Sequence, residues 1–427
     1  MELFVNSYFM NKIKHIFSNH LFKNFTVLVS GTLASQIISL LLMPILTRLY
    51  NQEAFGVLAI FQSVLSIAYS VGVLGYHEPI IIEKDEYKAK LIMCFCFILS
   101  FLLSLAVVII LFIPLDYFAI YKNLKIVLGM SVFLQLTNLL YQYWNLRKRQ
   151  FKRNALYAVL QAVSIVVSQY FLFYLMPSYG LVWGLTFGYF ISNIYMIIKT
   201  KNDMIKPENY RELLSIAKRY VNFPKYFTLA NFIESFSNSL PVLFLTPLFS
   251  VQSIGLYGLA HKVIFHGTSL ISSNVHNIIK SDMAARKGIR QIWPVYSKLL
   301  MLNAVIGVVI SVFIFFLAPL FFSILFGNAW VEAGYIAKIL IPFSFAFLIR
   351  GMGSAALRVF EKTKYMLIFA FFSMVVRFMA LFIANFYTKD FNTIILIYSL
   401  ASCVTVLGGE VYLCLCIIKH DRDLLAA

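Results

Sequence analysis

The 427-residue chain is 61% hydrophobic, 17% aromatic and only 13% charged, about half the charge that a water-facing globular surface carries. The mean hydropathy of +0.82 agrees, so composition excludes a soluble enzyme or binding domain. The net charge of +18 is spread over short loops without any nucleic-acid motif, so nucleic acid is not an expected partner.

Apolar runs predict an all-α integral membrane protein of about twelve transmembrane helices, each near the about 20 residues that a bilayer core requires. Six lie at 25–46, 55–75, 90–113, 124–145, 155–176 and 179–198, and six more at 227–249, 254–275, 299–325, 333–356, 364–387 and 392–418. Lys12, Lys14 and Lys23 precede the first run, which has full span length and no small-x-small cleavage site, and so reads as an uncleaved span. The cysteines (Cys94, Cys96, Cys403, Cys414, Cys416) all fall in apolar runs, and their two C-x-C pairs lack a second pair at zinc spacing. No metal is expected there. The longest break, near 199–226, divides the chain into an N-terminal six-helix lobe, 1–205, and a C-terminal one, 206–427. Around 207–222 that break reads as an amphipathic helix. Leu213, Leu214, Ala217, Tyr220 and Val221 share one face, with Arg211, Glu212, Lys218 and Arg219 mostly off it. Such a helix lies on the inner leaflet and tethers the lobes.

Orientation follows from Lys and Arg alone. With the N-terminus in the cytoplasm, 28 of the 36 basic residues fall in inward segments, 4 in outward loops (Arg48, Lys122, Lys125, Lys389) and the rest inside spans. The bias predicts twelve spans with both termini cytoplasmic. Leu46-Thr47-Arg48-Leu49-Tyr50 running on to Gly56 is matched 199 residues later by Leu245-Thr246-Pro247-Leu248-Phe249 running on to Gly255. Each segment joins the first two spans of its half. Six spans is an even number, so the halves are parallel repeats with a central path between them.

Ionisable groups at membrane depth are costly and mark a cavity or a partner. The bases are Lys262, Lys338, Arg350 and Arg377, with Arg48 at the outer end of the first span; the acids are Glu78, Glu234 and Glu410. Five bases against three acids predict a cationic cavity suited to an anionic, above all phosphorylated, substrate. Arg48, Lys262, Arg350 and Arg377 are the candidate substrate-binding residues. Arg48 reads equally well as an interfacial anchor, Lys338 better as one, and Arg377 has Glu410 as an alternative structural partner. Glu78 joins the loop charges. No cofactor is expected; coupling to a proton or sodium ion would run through Glu234 or Glu410. His261 and His266 stand five apart, the wrong separation for a two-histidine metal site on one helix face. No nucleophile elbow, Walker loop or acidic metal cluster is present, and no outward loop is large enough for a glycan-synthesising domain. A transporter is expected, not an enzyme.

Several stretches carry a family resemblance: Pro44-Ile-Leu-Thr-Arg48-Leu-Tyr on to Gly56, Trp144-Asn-Leu-Arg147 to Lys152, Phe223-Pro224, Gly255-Leu-Tyr-Gly-Leu-Ala-His-Lys262, and Leu325-Phe-Gly-Asn-Ala-Trp330. In this order the chain resembles the polysaccharide-biosynthesis branch of the multidrug/oligosaccharidyl-lipid/polysaccharide (MOP) exporter superfamily, the Wzx-type flippases. The resemblance implies two six-helix lobes around a cationic cavity in a bacterial inner membrane. It also implies alternating-access transfer of undecaprenyl-pyrophosphate-linked oligosaccharide to the outer leaflet, with membrane lipids, a polymerase and other polysaccharide-assembly proteins as partners. Of the site residues, it reaches only Arg48 and Lys262. The loop Glu83-Lys-Asp-Glu86 is more acidic than the family pattern. The competing readings are a small-molecule antiporter of the same superfamily and a membrane-embedded polymerase or glycosyltransferase.

Overall fold

The computed structural model describes residues 20–112, 124–203, 210–221, 223–286, 292–359 and 363–426, and among these it is helical without strands. The first half comprises α1 (His20–Leu49), α2 (Gln52–Val71), α3 (Glu86–Phe112), α4 (Lys125–Arg147), α5 (Phe151–Phe173) and α6 (Gly180–Thr200). A short helix, α7 (Tyr210–Arg219), and a π-helical turn, Phe223–Thr228, lead into the second half. There follow α8 (Leu229–Leu245), α9 (Val251–Arg286), α10 (Trp293–Phe326), α11 (Val331–Ile339), α12 (Ile341–Val359), α13 (Thr363–Tyr387) and α14 (Phe391–Ala426).

Among the described residues, nine helices are long and apolar enough to cross a membrane, and a bent pair from α11 and α12, inclined at 57°, makes a tenth. The other two expected spans are α8, of 17 residues, and α9, which carries His261, Lys262 and His266 mid-helix. Helix α8 falls short in length because its first turns are π-helical, and α9 falls short because it carries polar side chains along its middle. The bend has a local cause. Pro342 has no N–H to continue the helix, and the Phe343 N–H turns to Ser399 Oγ on α14 at 3.3 Å.

The outer surface carries large apolar side chains such as Leu41, Phe316, Val404 and Leu415, as a hydrocarbon solvent demands. Polar groups are turned inward to join helices. Gln169 Nε2 donates to the Leu181 carbonyl at 2.8 Å, Tyr50 to the Gln169 carbonyl at 2.6 Å, and Asn193 Nδ2 to the Leu134 carbonyl at 2.9 Å. The halves meet chiefly where α2 packs on α8 and α9.

Helix α7 docks on the first half, its Leu213 and Ile216 entering a cluster with Val73, Ile80 and Trp144. Tyr76 donates to the Ala217 carbonyl at 3.0 Å and Tyr87 to Glu212 at 3.0 Å. The acidic loop finds its role here. Buried Glu83 accepts from the Tyr220 hydroxyl at 2.5 Å and pairs with Arg219 at 3.3 Å, while Glu86 pairs with Lys148 at 2.7 Å. The Tyr220 hydrogen bond, then backbone N–H groups and the Arg219 charge, hold the Glu83 carboxyl below its ordinary range. A depressed carboxylate contributes stability above its ordinary pKa and loses it as pH falls through the depressed value. Glu83→Gln is therefore expected to raise amide exchange in α7 roughly tenfold at neutral pH. The difference from wild type in thermal midpoint should fade below about pH 4; an unchanged difference there would remove Glu83 as the latch. Residues 204–209 and 222, part of the predicted tether, lie outside the described residues.

Candidate functional site

Among the described residues, two cavities carry charged side chains. One, of about 380 Å³, lies between the halves and is walled by α1, α2, α8 and α9. Its charge comes from α9, where Lys262 is flanked by His261 and His266. Four-residue steps from Tyr257 to His261 to Phe265 aim these side chains together. The His261 ring is held by Phe265, stacked with centroids 4.2 Å apart. Lys262 has neither an ion-pair nor a hydrogen-bond partner among the described residues. The remaining lining is uncharged and polar: Gln36 from α1, Gln62, Ser63 and Ser66 from α2, and Asn238 from α8. At its floor Ser66 and Ser239 hydrogen-bond across the halves at 3.1 Å.

The second cavity, of about 400 Å³, lies within the second half between α8, α12, α13 and α14. Arg350 and Glu234 form an ion pair across it at 2.9 Å. Arg377, 3% exposed, donates to Ser237 Oγ at 3.2 Å and Asn238 Oδ1 at 3.3 Å and lies over the Phe343 ring at 4.9 Å. Its Nε has no acceptor. Glu410 lines the same cavity and accepts from Tyr296 of α10; the alternative Arg377–Glu410 ion pair does not form. Asn238 lines both cavities, so they adjoin.

One expected cationic cavity is thus two spaces. Lys262 belongs to the space between halves, while Arg350, Arg377, Glu234 and Glu410 belong to the second. Arg48 is exposed at the end of α1 and lines neither. Lys338 sits 5.5 Å from the Phe315 and Tyr335 rings, an aromatic anchor, and Glu78 accepts from Tyr143 at 2.8 Å. The sequence reading passed over Gln36, Gln62 and Asn238. Their signal is a polar side chain in an apolar run, repeated one helical turn on, as in Glu234 and Asn238. The Arg350–Glu234 pair has about a third to a half of each side chain exposed, so its coupling energy in a double-mutant cycle should stay below about 1 kcal/mol. A coupling of several kcal/mol would make it a structural clamp instead.

The matched repeat segments meet at one end of the bundle. A Cβ on Gly56 would lie 1.9 Å from the Val251 carbonyl oxygen, and one on Gly255 would lie 1.9 Å from that of Gln52. Each glycine lets its helix approach the other's first turn, and the contact is reciprocal, as the repeat requires. Trp330 reinforces it, donating to the Thr47 carbonyl at 3.0 Å with its ring against Phe55 at 4.8 Å. Gln52 bonds to Gln252 and to the Ala329 carbonyl. This end is closed above the cavity between the halves.

A model of the family described as polysaccharide biosynthesis protein matches residues 45–334. No curated protein matches the chain in sequence. Among solved structures, an inward-facing multidrug resistance MATE family transporter of the MOP superfamily is similar at TM-score 0.73 and 16% identity, over 91% of this chain and 96% of that one. The lipid II flippase MurJ in an inward closed conformation is similar at TM-score 0.73 and 13% identity, over 94% and 91%. An outward-facing MATE family transporter gives TM-score 0.58 at 14% identity, over 93% and 96%. Likeness at these identities shows the fold, which is that of MOP superfamily transporters.

Proposed function

The chain belongs to the polysaccharide biosynthesis protein family, and from that premise we propose that it is a flippase for lipid-linked oligosaccharide. In this reading it moves an undecaprenyl-pyrophosphate-linked glycan from the inner to the outer leaflet of a bacterial cytoplasmic membrane. The observation that carries the reading is Lys262, a cation without an ion-pair partner among the described residues, in the cavity between the halves. A buried cation is costly unless an anion meets it, and a pyrophosphate brings that anion on a sugar-bearing head group. Gln36, Gln62, Ser63 and Ser66 supply uncharged donors and acceptors suited to hydroxyls.

In this reading the distribution of Lys and Arg favours cytoplasmic termini, and the end joined at Gly56 and Gly255 then faces outward. The head group enters from inside, its polyprenyl tail remaining in lipid. Rocking of lobe 1–205 against lobe 206–427 opens the other end. Two driving forces fit. A proton or sodium ion can exchange at Glu234 once Arg350 releases it, or removal of the product outside draws the cycle forward.

Complementation of strains lacking defined flippases, read out as surface glycan, tests this function. Restored display is the expected result. Two outcomes would overturn the reading: new glycosidic bonds made by the purified protein, favouring a polymerase or glycosyltransferase, or drug sensitivity in a deletion strain with normal glycan, favouring an antiporter.

A further inference from the structure

We infer that the cavity within the second half is a separate binding site for the phosphate of an amphipathic lipid, distinct from the space between the halves. Three observations converge on it. First, Arg377 is almost wholly buried, yet its hydrogen-bond acceptors Ser237 and Asn238 and the Phe343 ring beneath it are neutral. Its Nε is an unmatched donor. Second, the two carboxylates lining the cavity are engaged elsewhere, Glu234 by Arg350 and Glu410 by Tyr296. Arg377 is therefore the lining cation without an ion pair of its own among the described residues, in surroundings where a buried charge is costly unless an anion meets it. Third, Ile368, Phe372 and Tyr412 line the same cavity and are exposed. An apolar and aromatic rim around a guanidinium matches a phosphate carried on a hydrocarbon tail better than it matches a free anion.

This site does not depend on the flippase reading. Lys262 belongs to the other cavity, and the loss of one function need not carry the other. The adjoining wall at Asn238 lets occupancy of this pocket bear on the space between the halves, since Arg377 holds that side chain by its Oδ1.

The test uses the full chain in detergent micelles with three probes: a phosphatidic acid, a polyprenyl phosphate and inorganic phosphate. A phosphatidylcholine of the same tails is the control. Native mass spectrometry should show retention of one or both tailed phosphates over phosphatidylcholine. Arg377→Gln should weaken that retention roughly ten- to hundredfold, and Arg377→Lys should restore part of it. Should Arg377→Gln fail to fold, Phe372→Trp serves in an otherwise native chain. Its added fluorescence should be quenched by brominated-tail phosphatidic acid or polyprenyl phosphate and not by brominated phosphatidylcholine. Which tailed phosphate binds identifies the source. Retention of inorganic phosphate alone, equal quenching by phosphatidylcholine, or unchanged binding in a folded Arg377→Gln would overturn the site.

Discussion

Lys262→Glu abolishes glycan display while folded protein remains in the membrane, and Lys262→Arg retains a substantial part of it. The expectation rests on the isolation of this ammonium between the halves. A charge-assisted hydrogen bond to phosphate contributes about 1.5–3 kcal/mol, and reversing the sign adds a like-charge penalty of several kcal/mol. Together these exceed a hundredfold in rate. Among the described residues Lys262 has no ion-pair or hydrogen-bond partner to lose, so the substitution removes function without removing a clamp. The check is paired: surface glycan by blotting, and membrane-inserted protein by size-exclusion chromatography after extraction. Normal display by a well-folded Lys262→Glu would take Lys262 out of the substrate path.

Gly56→Val, and separately Gly255→Val, keeps the closed end from closing. At either position a Cβ would sit 1.9 Å from a carbonyl oxygen of the facing helix, and backbone in a helix cannot yield as a flexible side chain does. The helices must separate at a cost of a few kcal/mol, enough to turn the dominant state into the minor one. Ser63→Cys places a thiol in the space between the halves. It should stay inert to a membrane-impermeant maleimide added outside in the native background and react in the Gly56→Val background, with flipping lost in both glycine variants. The five native cysteines lie in spans, and the chain without Ser63→Cys controls for them. Unchanged labelling would mean that the reciprocal glycine contact is not a gate.

The helical fold was legible because span length is a one-dimensional signal. Apolar runs can be read without knowing which way any side chain faces. The same polarity that marks α9 as cavity-forming weakens it as a span. The site was less legible for the opposite reason. Whether Lys262 and Arg377 share a space depends on the rotation of α9 and α13 about their axes, and an apolar run holds no clear amphipathic stripe from which to read it. Arg350 was visible as a charge, but its pairing with Glu234 spans 116 residues. The repeat at Gly56 and Gly255 was visible as a match of spacing, while its meaning, two backbones in contact, appears only once the halves are assembled. Glu83 and its acidic neighbours looked anomalous until α7 was found docked upon them.

The most direct measurement of the central claim reconstitutes the purified protein in vesicles loaded with a polyprenyl-pyrophosphate oligosaccharide and follows its appearance on the opposite leaflet with an impermeant lectin. The account predicts transfer above protein-free vesicles by the native chain, loss of that transfer in Lys262→Glu, and recovery of the glycan chemically unchanged. No transfer by a well-folded native chain, or recovery of a glycan with new linkages, would contradict it.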